Sequence, residues 1–321
     1  MKKVLSIILV IAMLSLSVVA FASCGNSDKP IIGILQFGSH GSLDNCREGI
    51  INGLKEKDIS EDNYKIEVLN NNFDMPTAQA QAQKLVNEGA KIIIGIATPS
   101  AIAAAEAAVS KDIPVVFCAV TDGTTLSNYQ NITGSSDVPN FAKQLEVVTS
   151  FMNKRDVKIG VLYSTQEDSS PYQLSELKKA AQAYDGMVIV DRAVQDITTI
   201  DTSIDALISD GVECFVNLLD NTIVGKLESN ILVKTNAAGI PVFGSEVEQV
   251  KVGCAASASI DYLEVGRLAG VAAAEILGGK AAKDIPVKII SDPTNYYNSE
   301  VCTRLGLTVP TTIQVTDVKA Q

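Results

Sequence analysis

Hydroxyl and acidic side chains follow apolar runs at intervals along this chain. Small or polar residues end six such runs, at positions 38–40, 97–98, 120–122, 164–165, 220–222 and 245–246. If these runs are parallel strands, their carboxyl ends share one edge of a sheet, where open α/β folds bind ligands. Hydroxyls can donate to an anionic group, and carboxylates can pair with a cationic one. The pattern therefore predicts a cleft that binds a small polar molecule.

Sequence motifs for catalysis are absent. There is no GxSxG elbow, and a Ser-His-Asp triad would have to use His40, the only histidine. Neither a GxxxxGK[ST] loop nor a full GxGxxG occurs, so nothing supports nucleotide hydrolysis or dinucleotide binding. No group of His, Cys, Asp and Glu has metal-ligand spacing. The sequence favours binding over catalysis and predicts neither a metal nor a cofactor.

The elements that must position these residues alternate between strands and helices. Strand-like runs at 31–37, 64–72, 91–98 and 114–121 alternate with helical stretches at 43–57, 77–89 and 99–111. The pattern then restarts, with helices at 139–153, 170–185, 199–209, 221–239, 261–279 and 298–310 and strands at 157–164, 187–194, 212–220, 241–246 and 285–291. Such alternation is typical of parallel, doubly wound sheets. The sequence therefore predicts an α/β fold of two lobes.

The first residues resemble an export signal that ends at a cysteine. Lys2 and Lys3 precede an uncharged, almost wholly apolar run at 4–22, and Cys24 follows the small residue Ser23. Charge, apolar core and small residues in that order predict a secretory signal over 1–23. A cysteine at the cleavage point resembles a bacterial lipobox, which predicts lipidation of Cys24, a tether over 24–30 and an extracytoplasmic protein anchored to the cell membrane. A plain signal peptide and an uncleaved anchor are the alternatives.

Charge and cysteine content narrow the possible partners. Removing 1–23 takes away two lysines and no acid, so the formal net charge moves from −11 to −13. An acidic body argues against binding nucleic acid or anionic lipid by charge.

Five cysteines follow Cys24, at 46, 118, 214, 254 and 302, and none forms a CxxC pair. We expect buried thiols and leave disulfides open.

Nine segments of the chain resemble one known family. They are QFGSHGSLDNCREGI, IGIATPSA, VVFCAVTD, NITGSSD, KIGVLY, LLDNTIV, IPVFGSE, SIDYLEVGRLAG and LGLTVP, in order between 36 and 310. Together they resemble the ABC-transporter substrate-binding lipoproteins whose characterised members take tryptophan or other aromatic amino acids.

The resemblance implies how the chain is organised. It implies a periplasmic-binding-protein type I fold, with two Rossmann-like lobes joined by three crossovers. The first lobe is expected at 30–134 plus 262–284 and the second at 135–261 plus 285–315. It also implies a monomer that delivers its ligand to an ABC permease.

An amino acid would need partners for both of its charges, since burying an unpaired ion is costly. Thr98, Ser100 and Thr121 suit its carboxylate, because 98–100 opens a helix after a strand. For the ammonium group, Asp220 is the first choice, with Glu246 and Asp261 as alternatives. Helix capping is the competing interpretation for Thr98 and Asp220.

Further predicted contacts surround these groups. His40 could stack on an aromatic ring or form a hydrogen bond, and Tyr163 could form an aromatic wall. Polar neighbours that could add hydrogen bonds are Ser39, Asp122, Asn221 and Thr222. Tryptophan or tyrosine is the expected ligand. Nucleosides, sugars and branched-chain amino acids remain rival ligands, and an anchored sensor or adhesin is the rival function.

Overall fold

The computed structural model of this protein describes residues 29–319. The predicted signal over 1–23 and the predicted lipidation site Cys24 lie outside the described residues. Within 29–319 the chain forms two sheets, one of six strands and one of seven, with helices packed on them. The predicted α/β fold with two lobes is confirmed.

The six-stranded sheet forms the first lobe, and all of its strands are parallel. Its order is β11-β5-β4-β3-β1-β2. With strands numbered along the chain, the bounds are β1 Ile31–Gln36, β2 Lys65–Asn70, β3 Ile92–Ile96, β4 Val115–Cys118, β5 Ile132–Asp137 and β11 Lys288–Ile290. The helices of this lobe are α1 Gly41–Lys55, α2 Met75–Asn87, α3 Thr98–Ala108 and α10 Tyr262–Leu277. The buried β1 and β3 carry continuous apolar runs, as expected for strands covered on both faces.

The seven-stranded sheet forms the second lobe in the order β13-β12-β10-β9-β8-β6-β7. Its strands are β6 Lys158–Ser164, β7 Val188–Val194, β8 Cys214–Val216, β9 Val242–Gly244, β10 Ala256–Ser259, β12 Thr294–Tyr297 and β13 Thr316–Asp317. Only β12 runs antiparallel to its neighbour β10 among these strands of the described chain. The helices are α4 Phe141–Met152, α5 Ser169–Ala181, α6 Ile200–Ser209, α7 Asn221–Val224, α8 Leu232–Ala238, α9 Val247–Val252 and α11 Ser299–Leu305.

The chain passes between the sheets three times, after β5, after β10 and between β11 and β12. Two of the expected lobe boundaries differ from this arrangement. The boundary at 134/135 falls inside β5, which continues to Asp137 in the first sheet. The segment from 285, expected in the second lobe, contains β11, which pairs with β5 through Lys288 and Ser135. β11 is only three residues long and β5 is largely polar. The apolar pattern of the sequence therefore did not show that these strands belong to the first sheet.

The second lobe contains elements that the sequence did not indicate. The helix predicted over 221–239 is divided into α7, a π-helical turn at Leu227–Ile231 and α8. Helix α9 and strand β12 were not predicted at all. Each is only four to six residues long, and elements this short carry too few residues to show a period.

Helices α1 and α10 touch backbone to backbone in the first lobe. A Cβ atom at Gly266 would lie 2.1 Å from the carbonyl oxygen of Cys46, and one at Gly49 would lie 2.1 Å from that of Leu263. No other residue fits at either point without moving a helix. We call this contact the glycine seam; it holds α10, which begins at the second crossing, against α1.

The cysteines that follow Cys24 are buried, and the structure shows each of the five as a free thiol. All five belong to the large apolar clusters of the two lobes. They act there as small apolar side chains. Among residues 29–319, no helix combines the length and apolar character needed to cross a membrane.

Candidate functional site

A small cavity lies between the two lobes. It is bounded by the carboxyl ends of the strands in both sheets, which is where the sequence predicts the site. Among the described residues that line it there is neither a lysine nor an arginine, while three are carboxylates. The three carboxylates are Asp137, Asp220 and Glu246.

The structure brings half of the predicted site residues to this cavity. Those that line it are His40, Thr98, Thr121, Asp220, Asn221 and Glu246. Those that do not line it are Ser39, Ser100, Asp122, Tyr163, Thr222 and Asp261.

Three residues of this second group are used in buried contacts or at a helix start. The Ser100 hydroxyl donates to Asn71 Oδ1 at 2.5 Å, and the Thr222 hydroxyl donates to Glu167 Oε1 at 2.8 Å. Asp261 is exposed and caps α10, where it accepts from the Glu264 amide at 3.1 Å.

The other three also make contacts outside the cavity lining. Ser39 is exposed and donates to Asp44 at 3.0 Å. Asp122 caps a short 3₁₀ turn by accepting from the Thr124 amide at 3.0 Å. Tyr163 packs against the apolar core of the second lobe, so it provides no aromatic wall for the cavity.

Two helix N-termini in the first lobe are open to an anionic group. Helix α3 begins at Thr98 after Ala97, whose φ is 71°, and α1 begins after His40; neither has a side-chain cap. The first amide groups of a helix lack partners within it and carry partial positive charge. Ser42, in the first turn of α1, is 2% exposed, and its hydroxyl lies beside the Glu246 carboxylate of the second lobe without a hydrogen bond of good geometry to any group. Both helix ends can therefore receive an anion in the cavity.

Asp137 ends β5 and lies beside Thr121 in the same wall of the cavity. Its Oδ1 accepts from the Thr121 hydroxyl at 3.1 Å, and its Oδ2 accepts from the Tyr262 hydroxyl at 2.9 Å. Burial raises the pKa of Asp137 to about 6. Asp137 and Tyr262 stand at the first and second crossings, so this hydrogen bond joins two of the three connections between the lobes.

The two acids of the second lobe act as helix caps. Asp220 accepts from the Ile223 amide of α7 at 3.0 Å, and also from the Ser164 amide at 2.6 Å and the Ser170 hydroxyl at 2.7 Å. Glu246 accepts from two amides in the first turn of α9, at 2.7 and 3.1 Å. Burial raises the pKa of Asp220 above its usual value and that of Glu246 to about 7.

Glu167, which the sequence did not suggest, lies buried behind Asp220. It accepts from the Thr222 amide at 2.6 Å, and from Asn221 Nδ2 at 2.9 Å. Burial and the nearby Asp220 carboxylate raise the pKa of Glu167 to about 8. Glu167 therefore fixes Asn221 in position while adding a second acid to this wall.

His40 and Asn221 form a hydrogen bond between the lobes, with His40 Nε2 3.1 Å from Asn221 Oδ1. Because Asn221 Nδ2 already donates to Glu167, its Oδ1 is the acceptor, and His40 Nε2 must carry the proton. Burial lowers the pKa of His40, which favours this neutral ring. The ring lies parallel to that of Phe73 with the centroids 6.3 Å apart, so the predicted aromatic stacking is with the protein itself.

A second contact between the lobes lies at the mouth of the cleft. Asn45 Nδ2 of α1 donates to Glu248 Oε1 of α9 at 3.1 Å. Gly41 lies beside the same glutamate, and a Cβ atom at Gly41 would be 2.7 Å from Glu248 Cβ. Only a residue without a side chain permits this approach of the two lobes.

Sequence reasoning missed Asp137 and Ser42 as well as Glu167. Asp137 ends a strand whose sequence, ITGSSD, is too polar to be recognised as buried. Its position at a strand end was the one available signal. Ser42 follows the helix start by one residue, and Glu167 lies in a polar loop, TQEDSS, that carries no periodic signal.

Comparison with known proteins identifies the family. A family model described as "ABC transporter substrate binding protein" matches residues 31–320, which is most of the chain. This chain is an ABC transporter substrate-binding protein. A curated relative, the "Tyrosine-binding protein" of Clostridioides difficile (strain R20291), is 34% identical over 285 residues, covering 86% of this chain and 81% of the relative. The resemblance read from the sequence is therefore confirmed.

Solved structures of similar proteins differ in how well they match this substrate-binding protein. A Streptococcus pneumonia ABC domain in complex with L-Trp is 30% identical, with a TM-score of 0.83, covering 90% of this chain and 100% of that one. A ligand-free, open structure of a substrate binding protein with adhesive properties from Clostridium difficile is 29% identical, with a TM-score of 0.66, covering 90% and 99%. At 30% and 29% identity, the structure here matches the complex with L-Trp better than the ligand-free, open structure.

The buried acid Glu167 makes the stability of this substrate-binding protein depend on pH. A carboxyl whose pKa is higher in the folded protein than in the unfolded chain destabilises the fold as pH rises between the two values. The pKa of Glu167 rises from 4.5 to about 8 on folding. The free energy of unfolding should therefore fall as the pH is raised from 5 to 8. Glu167→Gln removes this titration and should reduce the loss of melting temperature over that interval by about 3 °C or more. Thermal unfolding at the two pH values measures it.

Glu106→Gln is the matched control, because Glu106 lies exposed on α3. It should leave the dependence on pH as it is in the wild type. If Glu167→Gln shows the same loss of melting temperature as the wild type, Glu167 does not titrate in this interval.

Gly41 provides a test of closure that does not touch the cavity. Gly41→Ala places a methyl group against Glu248 only when the lobes are closed. The closed state should therefore lose about 1 kcal/mol or more, which weakens ligand binding at least fivefold. Gly123→Ala is the control, since a Cβ atom there meets nothing within 4 Å. Equal affinities in the two variants, measured by calorimetry, would contradict this role for Gly41.

Proposed function

We propose that this protein captures an aromatic amino acid, tyrosine or tryptophan, between its lobes and delivers it to an ABC permease. The observation that carries the proposal is the cavity itself, which offers partners for both charges of a zwitterion. Open helix N-termini and hydroxyls line one part of it, and carboxylates without a lysine or arginine among the described residues line the rest.

The carboxylate of the ligand is assigned to the two open helix N-termini. Thr98 provides a hydroxyl at the start of α3, and Ser42 provides one in the first turn of α1. Hydrogen bonds to a charged group are about twice as strong as neutral ones, and an enclosed site strengthens them further. Ser100 is not included, because its hydroxyl is used by Asn71.

The side chain of the ligand is assigned to the apolar part of the lining. Leu43, Leu219 and Val224 reach the cavity from both lobes. The relatives add support, since one is named for tyrosine and another was solved with L-Trp.

Ligand identity is tested by thermal unfolding of the purified protein with each amino acid, with nucleosides and with sugars. A ligand at 100 times its Kd adds about 2.7 kcal/mol of stability, which should raise the melting temperature by about 5 °C or more. We expect that rise with L-tyrosine or L-tryptophan. A rise with nucleosides or sugars alone would contradict the proposal. No rise with any ligand would favour the anchored sensor or adhesin instead.

We further propose that Cys24 carries a lipid that anchors the protein to the extracytoplasmic face of the membrane. The support is the order of charged, apolar and small residues before Cys24. Lipidation confines the protein to the membrane that contains its permease, so captured ligand is released where transport begins.

Anchoring is tested by Cys24→Ala in cells of a bacterium that processes lipoproteins. The wild type should sediment with the membrane fraction, while the variant, lacking the acylated thiol, should not be processed at this site or acylated. Labelling with a radioactive or clickable fatty acid measures the modification directly. Label on the variant equal to that on the wild type would rule out Cys24 as the lipidated residue.

A further inference from the structure

The three carboxylates of the cavity differ in how completely the protein already uses them. Asp220 accepts three hydrogen bonds, two of them from backbone amides. Glu246 accepts two, both from backbone amides of α9. Backbone amides are fixed donors that compensate a carboxylate permanently. The burial of Asp220 and Glu246 is therefore explained by their role as N-caps of α7 and α9.

Asp137 receives hydrogen bonds from the hydroxyls of Thr121 and Tyr262. It is 3% exposed, and, like Asp220 and Glu246, it takes part in none of the ion pairs among residues 29–319. Unlike them, it caps no helix and is held by side-chain hydroxyls. A buried carboxylate without a cation is costly, and a cation within contact distance would remove that cost. Asp137 is therefore the acid of this cavity that most needs a positively charged partner.

Asp137 also lies at the correct end of the cavity for an α-amino acid. The ammonium and carboxylate groups of such a ligand sit on one carbon atom, so their protein partners must be neighbours. Thr98 follows β3, Thr121 follows β4 and Asp137 ends β5, and β4 lies between the other two strands in the sheet. Since adjacent strands are about 4.8 Å apart, Thr98 and Asp137 are separated by roughly 10 Å, with Thr121 between them. A carboxylate and an ammonium group on one carbon atom can span that separation, with one hydrogen bond at each end.

We propose that Asp137 of the first lobe, rather than Asp220 of the second, binds the ammonium group of the captured amino acid. This assignment rests on the proposed function, in which the ligand is an amino acid. Thr121 and Tyr262 orient the carboxylate by donating to it. Because Asp137 and Tyr262 stand at two of the three crossings, the ammonium group contacts the hinge directly, and ligand charge stabilises the closed arrangement there.

The test compares ligands that differ only in the amino group. L-Tyrosine and 3-(4-hydroxyphenyl)propanoate are titrated by calorimetry into the wild type, Asp137→Asn and Asp220→Asn; L-tryptophan and indole-3-propanoate serve as a second pair. Asp137→Asn should bind the amino acid at least tenfold more weakly and bind the des-amino analogue as well as, or better than, the wild type. Asp220→Asn should keep the wild-type preference for the amino acid, even if its melting temperature falls.

Each outcome decides the assignment. A wild-type preference for the amino acid that persists in Asp137→Asn, or that disappears in Asp220→Asn, overturns it. A wild type that binds neither tyrosine nor tryptophan contradicts the proposed function and the assignment together. Circular dichroism checks the fold of each variant. If Asp137→Asn does not fold, Asp137→Ser carries the same comparison, because its hydroxyl can pair with Thr121 and Tyr262.

Discussion

The cleft depends on carboxylates that are buried without a basic partner. Asp137, Glu167, Asp220 and Glu246 are each 3% exposed or less. Each remains buried because amides or hydroxyls donate to it, and burial raises the pKa of all four. Burying such groups without a cation costs free energy. Under the proposed function, the ammonium group of the ligand provides that cation, so closure depends on occupancy.

The same side chains connect the ligand to the movement of the lobes. Glu167 holds Asn221, and Asn221 accepts from His40 of the other lobe. Asp137 accepts from Tyr262 across two of the crossings. These contacts form two sets of hydrogen bonds, one around Asn221 and one around Asp137. Both sets lie at the cavity, and a ligand shifts an equilibrium only through contacts that differ between the states.

Much of the fold could be predicted from the sequence, because long apolar strands and periodic helices alternate clearly in both lobes. Residues that line the cavity were predicted where they follow from this alternation: Thr98, Thr121 and Asp220 come after strands and line the cavity. Residues at the site were missed where their position depends on the fold and not on a local sequence pattern. Asp137 ends a polar strand, and Glu167 lies in a loop without a pattern. Ser100 has the right type and position, yet Asn71 from a distant loop takes its hydroxyl, which no local pattern indicates.

The glycine seam between α1 and α10 limits how this protein can acquire new ligands. Gly49 and Gly266 bring the two backbones into contact, leaving no layer of side chains that could repack. Ser42 and Tyr262, at the cavity ends of these helices, are therefore held in fixed positions. Leu219 and Val224 reach the same cavity from the opposite lobe, outside the seam. A substitution there can reshape the cavity without forcing two helices apart, whereas a larger residue in the seam would displace the groups that α1 and α10 present to it.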